Sequence, residues 1–258
     1  MFRFNVTSCV SLLLILFCAT SCSDKYKIEG KSSITSLDGK KLFLKLLQDG
    51  QWVSVDSAEV VHGLFKMKGG VDSVRMATLF MDDEGIMPLV LEDGTIKVSL
   101  SNTQLVAGGT SLNDRLYEFI DKRNRLEIKI GELERKEARM VLEGANLEEV
   151  NEQLNQEREN LLKETNDYVY TFITENFENV LGPSVFMMMC STLPYPCMTK
   201  EVEDVMRTAP LSFKNDPLVK DYLQKAKENM KLIEEHQRLE ENKILTANRA
   251  NAGAYPVN

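Results

Sequence analysis

A chain of 258 residues with 39 acidic and 31 basic side chains has a formal charge of −8, and its length suits one large domain or two modest ones, each with its own core. The acidic balance argues against a nucleic-acid binder, because phosphates would be repelled rather than neutralised. No basic run interrupts that balance, so an anionic membrane surface is not expected as an electrostatic partner.

At the N-terminus, Arg3 supplies a positive start, Val10 to Ala19 an apolar run, and small residues an exit. Together they read as a secretory signal peptide over residues 1–21, too short to span a bilayer. The sequence Ala19-Thr20-Ser21-Cys22, followed by Ser23-Asp24-Lys25, resembles the lipobox of bacterial lipoproteins. That resemblance implies that Cys22 is lipidated and becomes the mature N-terminus. Ordinary cleavage and an uncleaved anchor are the alternatives. Loss of the leader leaves 30 basic against 39 acidic residues, or −9.

From Tyr26 to Gly109 short strand-length runs alternate with turns. The runs are Tyr26–Ile28, Lys41–Leu46, Gln51–Val55, Glu59–Val61, Leu64–Met67, Val74–Phe80, Met87–Leu91, Thr95–Leu100 and Gln104–Val106. Between them fall Asp38-Gly39, Asp49-Gly50, Gly69-Gly70, Glu84-Gly85, Asp93-Gly94 and Gly108-Gly109, where positive φ favours glycine. Strands of this length and spacing predict a small antiparallel β-sandwich or a partly open barrel over residues 22–110.

After Ser111 the apolar period becomes helical. Leu112, Leu116, Phe119, Leu126, Ile130, Leu133 and Met140 form one stripe, broken by Arg123 and Glu137. Glu143-Gly144-Ala145-Asn146 interrupts it, and Leu147, Val150, Leu154, Leu161, Tyr168 and Phe172 form a second, so the two predict an antiparallel helical hairpin. Gly182-Pro183 is read as the end of that unit, before the apolar Val185–Met189. Thr199 caps a short helix to Arg207, Pro210 and Pro217 bracket a turn, and Leu218 to Leu245 is the last long helix. The fold class is therefore α+β, with helices over 111–246 and a flexible tail over 247–258.

Several segments, in order, resemble the uncharacterised domain that precedes the thioredoxin-like domain of bacterial thiol:disulfide interchange lipoproteins of the alkyl hydroperoxide reductase and thiol-specific antioxidant type. They are Tyr26–Gly30, Gly39–Leu44, Asp56–Gly69, Leu91–Ile96 and Gly108–Asn113, with Phe172–Asn176 in the helical part. The chain has no Trp-Cys-x-x-Cys, since its one Trp, Trp52, precedes Val53. The resemblance therefore implies the non-catalytic part of that architecture and transfers no catalytic residue.

Chemistry is sparse in the sequence. Two histidines, His62 and His236, lie far apart and read as structural, and no metal site or cofactor is expected. Asp82-Asp83-Glu84-Gly85 reads as a solvated hairpin turn before a cation loop. Cys190 and Cys197 flank a loop stiffened by Pro194 and Pro196 and invite a disulfide, or else stand as unpaired thiols; their spacing is not that of a redox pair. Val185-Phe186-Met187-Met188-Met189 is either core or an adaptable thioether surface. Trp52, Tyr26 and Tyr195 are candidate contacts for a glycan, peptide or other ligand, with core packing the competing account for the first two. The expectation is a non-enzymatic, lipid-anchored cell-envelope protein, placed at the outer membrane with its face unassigned. It binds or scaffolds a protein partner. The alternatives are an accessory to thiol-disulfide exchange, through Cys190 and Cys197 or a separate thioredoxin-like partner, and glycan or peptide capture.

Overall fold

A computed structural model describes residues 24–252 and divides the chain into two compact units, the second beginning at Arg115. The proposed leader and Cys22 lie outside the described residues.

The first unit is a β-sandwich. Strands β1 (Asp24–Ser32), β4 (Leu64–Val71), β7 (Gly94–Leu100) and β8 (Leu105–Gly108) form one sheet in the order β4-β1-β7-β8. Strands β2 (Lys41–Gln48), β3 (Gln51–Glu59), β5 (Arg75–Met81) and β6 (Glu84–Leu91) form the other, in the order β3-β2-β5-β6. The second sheet is antiparallel throughout, whereas β1 and β7 pair in parallel because the chain visits the second sheet between them. Alternation along each strand turns Tyr26, Ile28, Phe65, Met67, Ile96 and Val98 inward from the first sheet, and Leu42, Leu44, Leu79 and Leu89 from the second. Each such side chain stabilises by about 1.5–3 kcal/mol when fully buried.

Local chemistry fixes the turns. Asp49 and Gly50 both hold positive φ in the two-residue turn of the β2–β3 hairpin. His62 and Gly63 do the same, closed by mutual bonds between Val61 and Leu64, so His62 serves a turn. Three expectations are corrected here. Gly69-Gly70 lies inside β4, where a Cβ on Gly69 would stand 2.5 Å from the Tyr26 hydroxyl; glycine makes room for the ring across the strand pair. Glu84-Gly85 opens β6, and the turn before it is Asp82-Asp83. Glu59 ends β3 rather than opening a separate strand, and Val61 contributes a single bridge.

Two side chains satisfy strand edges. Asp56, on edge strand β3, accepts a hydrogen bond from the backbone N–H of Lys68 on edge strand β4 at 3.0 Å, and another from the Tyr26 hydroxyl at 3.3 Å. On β6, the other edge of the second sheet, the wholly buried Asn113 carboxamide accepts from Val90 N–H at 2.9 Å and donates to Val90 C=O at 2.7 Å. Asn113 thus imitates one residue of an added strand. It belongs to the first turn of helix α1 (Ser111–Leu142), whose N–H groups at Leu112 and Asn113 donate to the buried Glu92 carboxylate at 2.9 and 3.1 Å. An anion at that end complements the helix dipole.

In the second unit α1 turns back into α2 (Leu147–Glu175). Ala145 N–H bonds to Met140 C=O and Gly144 N–H to Val141 C=O, with Gly144 at φ 92°, and Asn146 then caps α2 by accepting from Glu148 N–H. Leu133, Val150 and Leu154 pack as the distal core, with Met140 and Leu161 against it. Phe119 stacks on Tyr168 and tilts onto Phe172 further along. Glu137, which breaks the apolar stripe, bonds Arg158 across the seam at 2.7 Å. Leu147, expected inward, is 53% exposed because it occupies the first helical position of α2.

Helices α3 (Leu181–Cys190), α4 (Lys200–Thr208), α5 (Leu211–Lys214) and α6 (Pro217–Ala252) complete the unit. The break after α2 falls at Asn176–Val180, earlier than expected, and Gly182-Pro183 sits in the first turn of α3, where proline removes an N–H that has no helical partner. A ring cluster of Phe177, Phe186, Phe213 and Tyr222 holds α3, α5 and α6 together. Thr199 caps α4 as expected, and α6 continues to Ala252, past Ala247, as its alanines favour.

Replacing Asn113 by Leu strips two buried backbone groups of their partners and is expected to destabilise the sandwich by about 2–4 kcal/mol. Urea unfolding followed by Trp52 fluorescence measures it, since the single tryptophan reports the first unit. Asn113→Asp should be at least as harmful at neutral pH, because it sets a second carboxylate against Glu92 and removes the donor to Val90 C=O.

Candidate functional site

The helical unit contains a cleft of about 820 Å³, a size that holds a small organic molecule or a few residues of peptide. Its apolar wall is Phe119 of α1, Val169 and Tyr170 of α2, and Val185, Met188 and Met189 of α3. Helical spacing explains the convergence. Lys163, Asn166, Asp167 and Tyr170 fall at steps of three and four on α2, and Lys200, Asp204 and Arg207 do so on α4. The end of α3 is fixed by Ser191 and Thr192, whose hydroxyls each donate at 2.8 Å to the carbonyls of Met188 and Met189. Phe186, one turn back, is fully buried against Phe213 and Tyr222. One short helix therefore roots itself on one side and presents thioethers on the other.

The rim carries both signs. Arg123 pairs with Glu127 at 2.7 Å, and Arg207 with Asp204. Lys163, Asp167, Lys200 and Glu201 also line the cleft, and among the described residues none of them is in an ion pair. Two cationic and two anionic heads are thus unengaged around an apolar floor. Such a site suits a ligand with an apolar body and ionic ends.

Of the residues singled out in the sequence, Val185, Met188 and Met189 reach this cleft. The apolar segment is both core and surface: Val185 and Phe186 are buried, and Met187, Met188 and Met189 half-buried. Tyr195 is 48% exposed in the loop after α3 and is not among the cleft residues. That loop is clamped to α6, with Asn229 donating to Pro196 C=O and the Tyr222 hydroxyl bonding both N–H and C=O of Cys197. Trp52 is half-exposed on the sandwich, leaning edge-on against Phe80 at 5.0 Å, with the Lys45 ammonium 4.4 Å from the same ring. Tyr26 is buried and bonded to Asp56, which removes it as a stacking surface. Asp82 and Asp83 occupy a hairpin turn, and among the described residues no three His, Cys, Asp or Glu side chains group to hold a metal. Tyr170 and the charged rim were missed by the sequence reading, although the steps along α2 and α4 carried the signal.

Residues 26–116 match the family model of a domain of unknown function, DUF4369. The matched segment covers the sandwich and the first turns of α1, including both Glu92 and Asn113, and ends before the cleft residues begin. No curated protein and no solved structure matches the chain.

Cys190 and Cys197 are free thiols here, without the bond their spacing invited. Burial pushes Cys190 up to about 11, partly offset by its hydrogen bond with Tyr222. A thiol held protonated is a poor nucleophile at neutral pH. The folded chain prefers the protonated form, so this group's contribution to stability is full below its ordinary value near 9 and is lost as the pH rises toward 11. Tyr26, raised to about 12 first by burial and then by Asp56, acts in the same direction at higher pH. Thermal unfolding midpoints are expected to fall between pH 9 and 11, and Cys190→Ala should flatten that fall relative to wild type.

Proposed function

We propose that the protein is a lipid-anchored cell-envelope protein that acts by binding, and that the helical cleft is where it holds an amphipathic ligand or a segment of a protein partner. The observation that carries this reading is the meeting of Met188, Met189, Phe119 and Tyr170 inside a rim of unengaged Lys163, Asp167, Lys200 and Glu201. Flexible thioethers adapt to varied apolar shapes, and the mixed rim sets orientation. The leader and Cys22 support the anchor, which raises the local concentration of the binding unit at a membrane face. The resemblance to the non-catalytic part of thiol:disulfide interchange lipoproteins supports a partner that brings its own redox pair.

The anionic dye 8-anilinonaphthalene-1-sulfonate, an apolar body with one ionic head, is expected to fluoresce on binding the cleft. Met188→Asp should weaken that binding about tenfold or more, because it puts a charge into the apolar floor. Leu232→Asp, on the exposed part of α6, should leave it unchanged. Equal loss in both variants would refute the site. Palmitate labelling in cells is expected to vanish in Cys22→Ala, and labelling that persists would remove the anchor.

A further inference from the structure

The outer face of the first sheet is basic, contrary to what the sequence order suggested. Because Tyr26, Ile28, Phe65, Met67, Ile96 and Val98 point inward, alternation forces Lys25, Lys27 and Lys31 of β1, Lys66 and Lys68 of β4, and Lys97 of β7 outward, and all six are exposed. They are six of the ten basic residues between Asp24 and Asp114, a stretch holding thirteen acidic ones, while the acids at this face are Glu29 and, at the β8 margin over Gly108, Asp114, whose carboxylate accepts from the Gly109 N–H. Register puts Lys27 opposite Lys68, and Glu29 between Lys66 on one side and Lys97 on the other. Glu29 bonds Lys27, and the lysines around it hold its carboxyl below the usual range. Among the described residues no ion pair reaches Lys31, Lys66, Lys68 or Lys97.

Like charges set directly across a strand pair disfavour the sheet. Two carboxylates cannot neutralise six ammonium groups, so the arrangement calls for anions from outside the chain. A shallow groove of about 580 Å³ crosses the same face, lined by Glu29, Lys31, Lys66 and Lys97 together with Leu64 and Val106. Leu64 is 58% exposed and Val61, its partner across the turn, 52%. Cations beside projecting apolar side chains fit a lipid surface better than a free anion. Lys25 follows Cys22 by three residues, at most about 10 Å of chain, so a lipid there would hold the Lys25 end of β1 within that reach of the bilayer.

We propose that the outer face of the β4-β1-β7-β8 sheet is a contact surface for anionic phospholipid head groups, with its lysines on the phosphates and Leu64 and Val61 at the acyl boundary. The orientation rests on the anchor at Cys22; the binding does not. A lone lipid holds a protein marginally, and a basic face is the second signal that makes attachment stable. Each lysine near an anionic surface raises partitioning about fivefold.

The test uses the mature chain from Cys22 to Asn258 carrying Cys22→Ser, so that no lipid contributes, in sedimentation with vesicles. Vesicles of phosphatidylglycerol in phosphatidylcholine are expected to bind it and phosphatidylcholine alone to leave it in solution, with binding weakened by salt. The triple variant Lys27→Gln, Lys66→Gln, Lys97→Gln should bind at least about tenfold more weakly. Glu29→Lys, which adds charge at an exposed position, should bind severalfold more tightly, and this gain guards against mistaking misfolding for lost contact. Inorganic phosphate added in excess should compete poorly; full competition would make the face a site for free anions and overturn the membrane assignment. Equal binding to both vesicle types, or no effect of either variant, also overturns it. Palmitate labelling reads the anchor separately, so failure of one leaves the other standing.

Discussion

The Asn113 carboxamide, closed on both polar groups of Val90 and set beside the Glu92 carboxylate, is the contact on which the order of this chain depends. It does two jobs with one side chain. It terminates the second sheet at β6, and with Glu92 it decides where α1 begins. Leu116, Phe119, Leu126 and Leu133 follow it on one buried stripe of α1, which their own spacing sets. The buried polar groups tolerate their dry surroundings because each is fully partnered, and among the described residues no buried side-chain polar atom is left unmatched.

The two units offer different chemistry to their surroundings. The sandwich is net acidic yet carries a cationic face, so its charge is sorted by strand parity, while the helical unit gathers thioethers and aromatic rings into one recess. The first spreads its charges over a sheet, and the second sets an apolar recess inside an ionic rim. The free thiols fit the same picture, with Cys190 shielded and its neighbour's backbone clamped by Tyr222.

Much of the architecture was written in local patterns. The Asp49-Gly50 turn, the Gly144 stop with its Asn146 cap, and the helical stripes of Leu133 and Leu154 each carry their signal within a few residues. Errors came where a distant residue decides a local conformation. Gly69-Gly70 looks like a turn until Tyr26 is placed against it, and Gly182-Pro183 looks like a helix end until Asn176 takes that role. Leu91–Ile96 and Gly108–Asn113 lie apart in the sequence, and what joins them, the contact of Glu92 with Asn113, could not be read from either segment. Surface character was the least legible. Six lysines scattered through seventy-odd positions look dispersed until pairing aligns them on one side.

The clasp of Asp56 on the Lys68 amide has a consequence for crowding. Proteins at high concentration meet one another often, and two bare strand margins brought together edge to edge would knit into a growing ribbon. Here one edge position of each sheet is already partnered, Lys68 on β4 by a carboxylate from its neighbour across the sandwich and Val90 on β6 by a helical amide. Close packing of copies therefore meets a partnered amide on β4 and a partnered residue on β6 where each strand would otherwise extend.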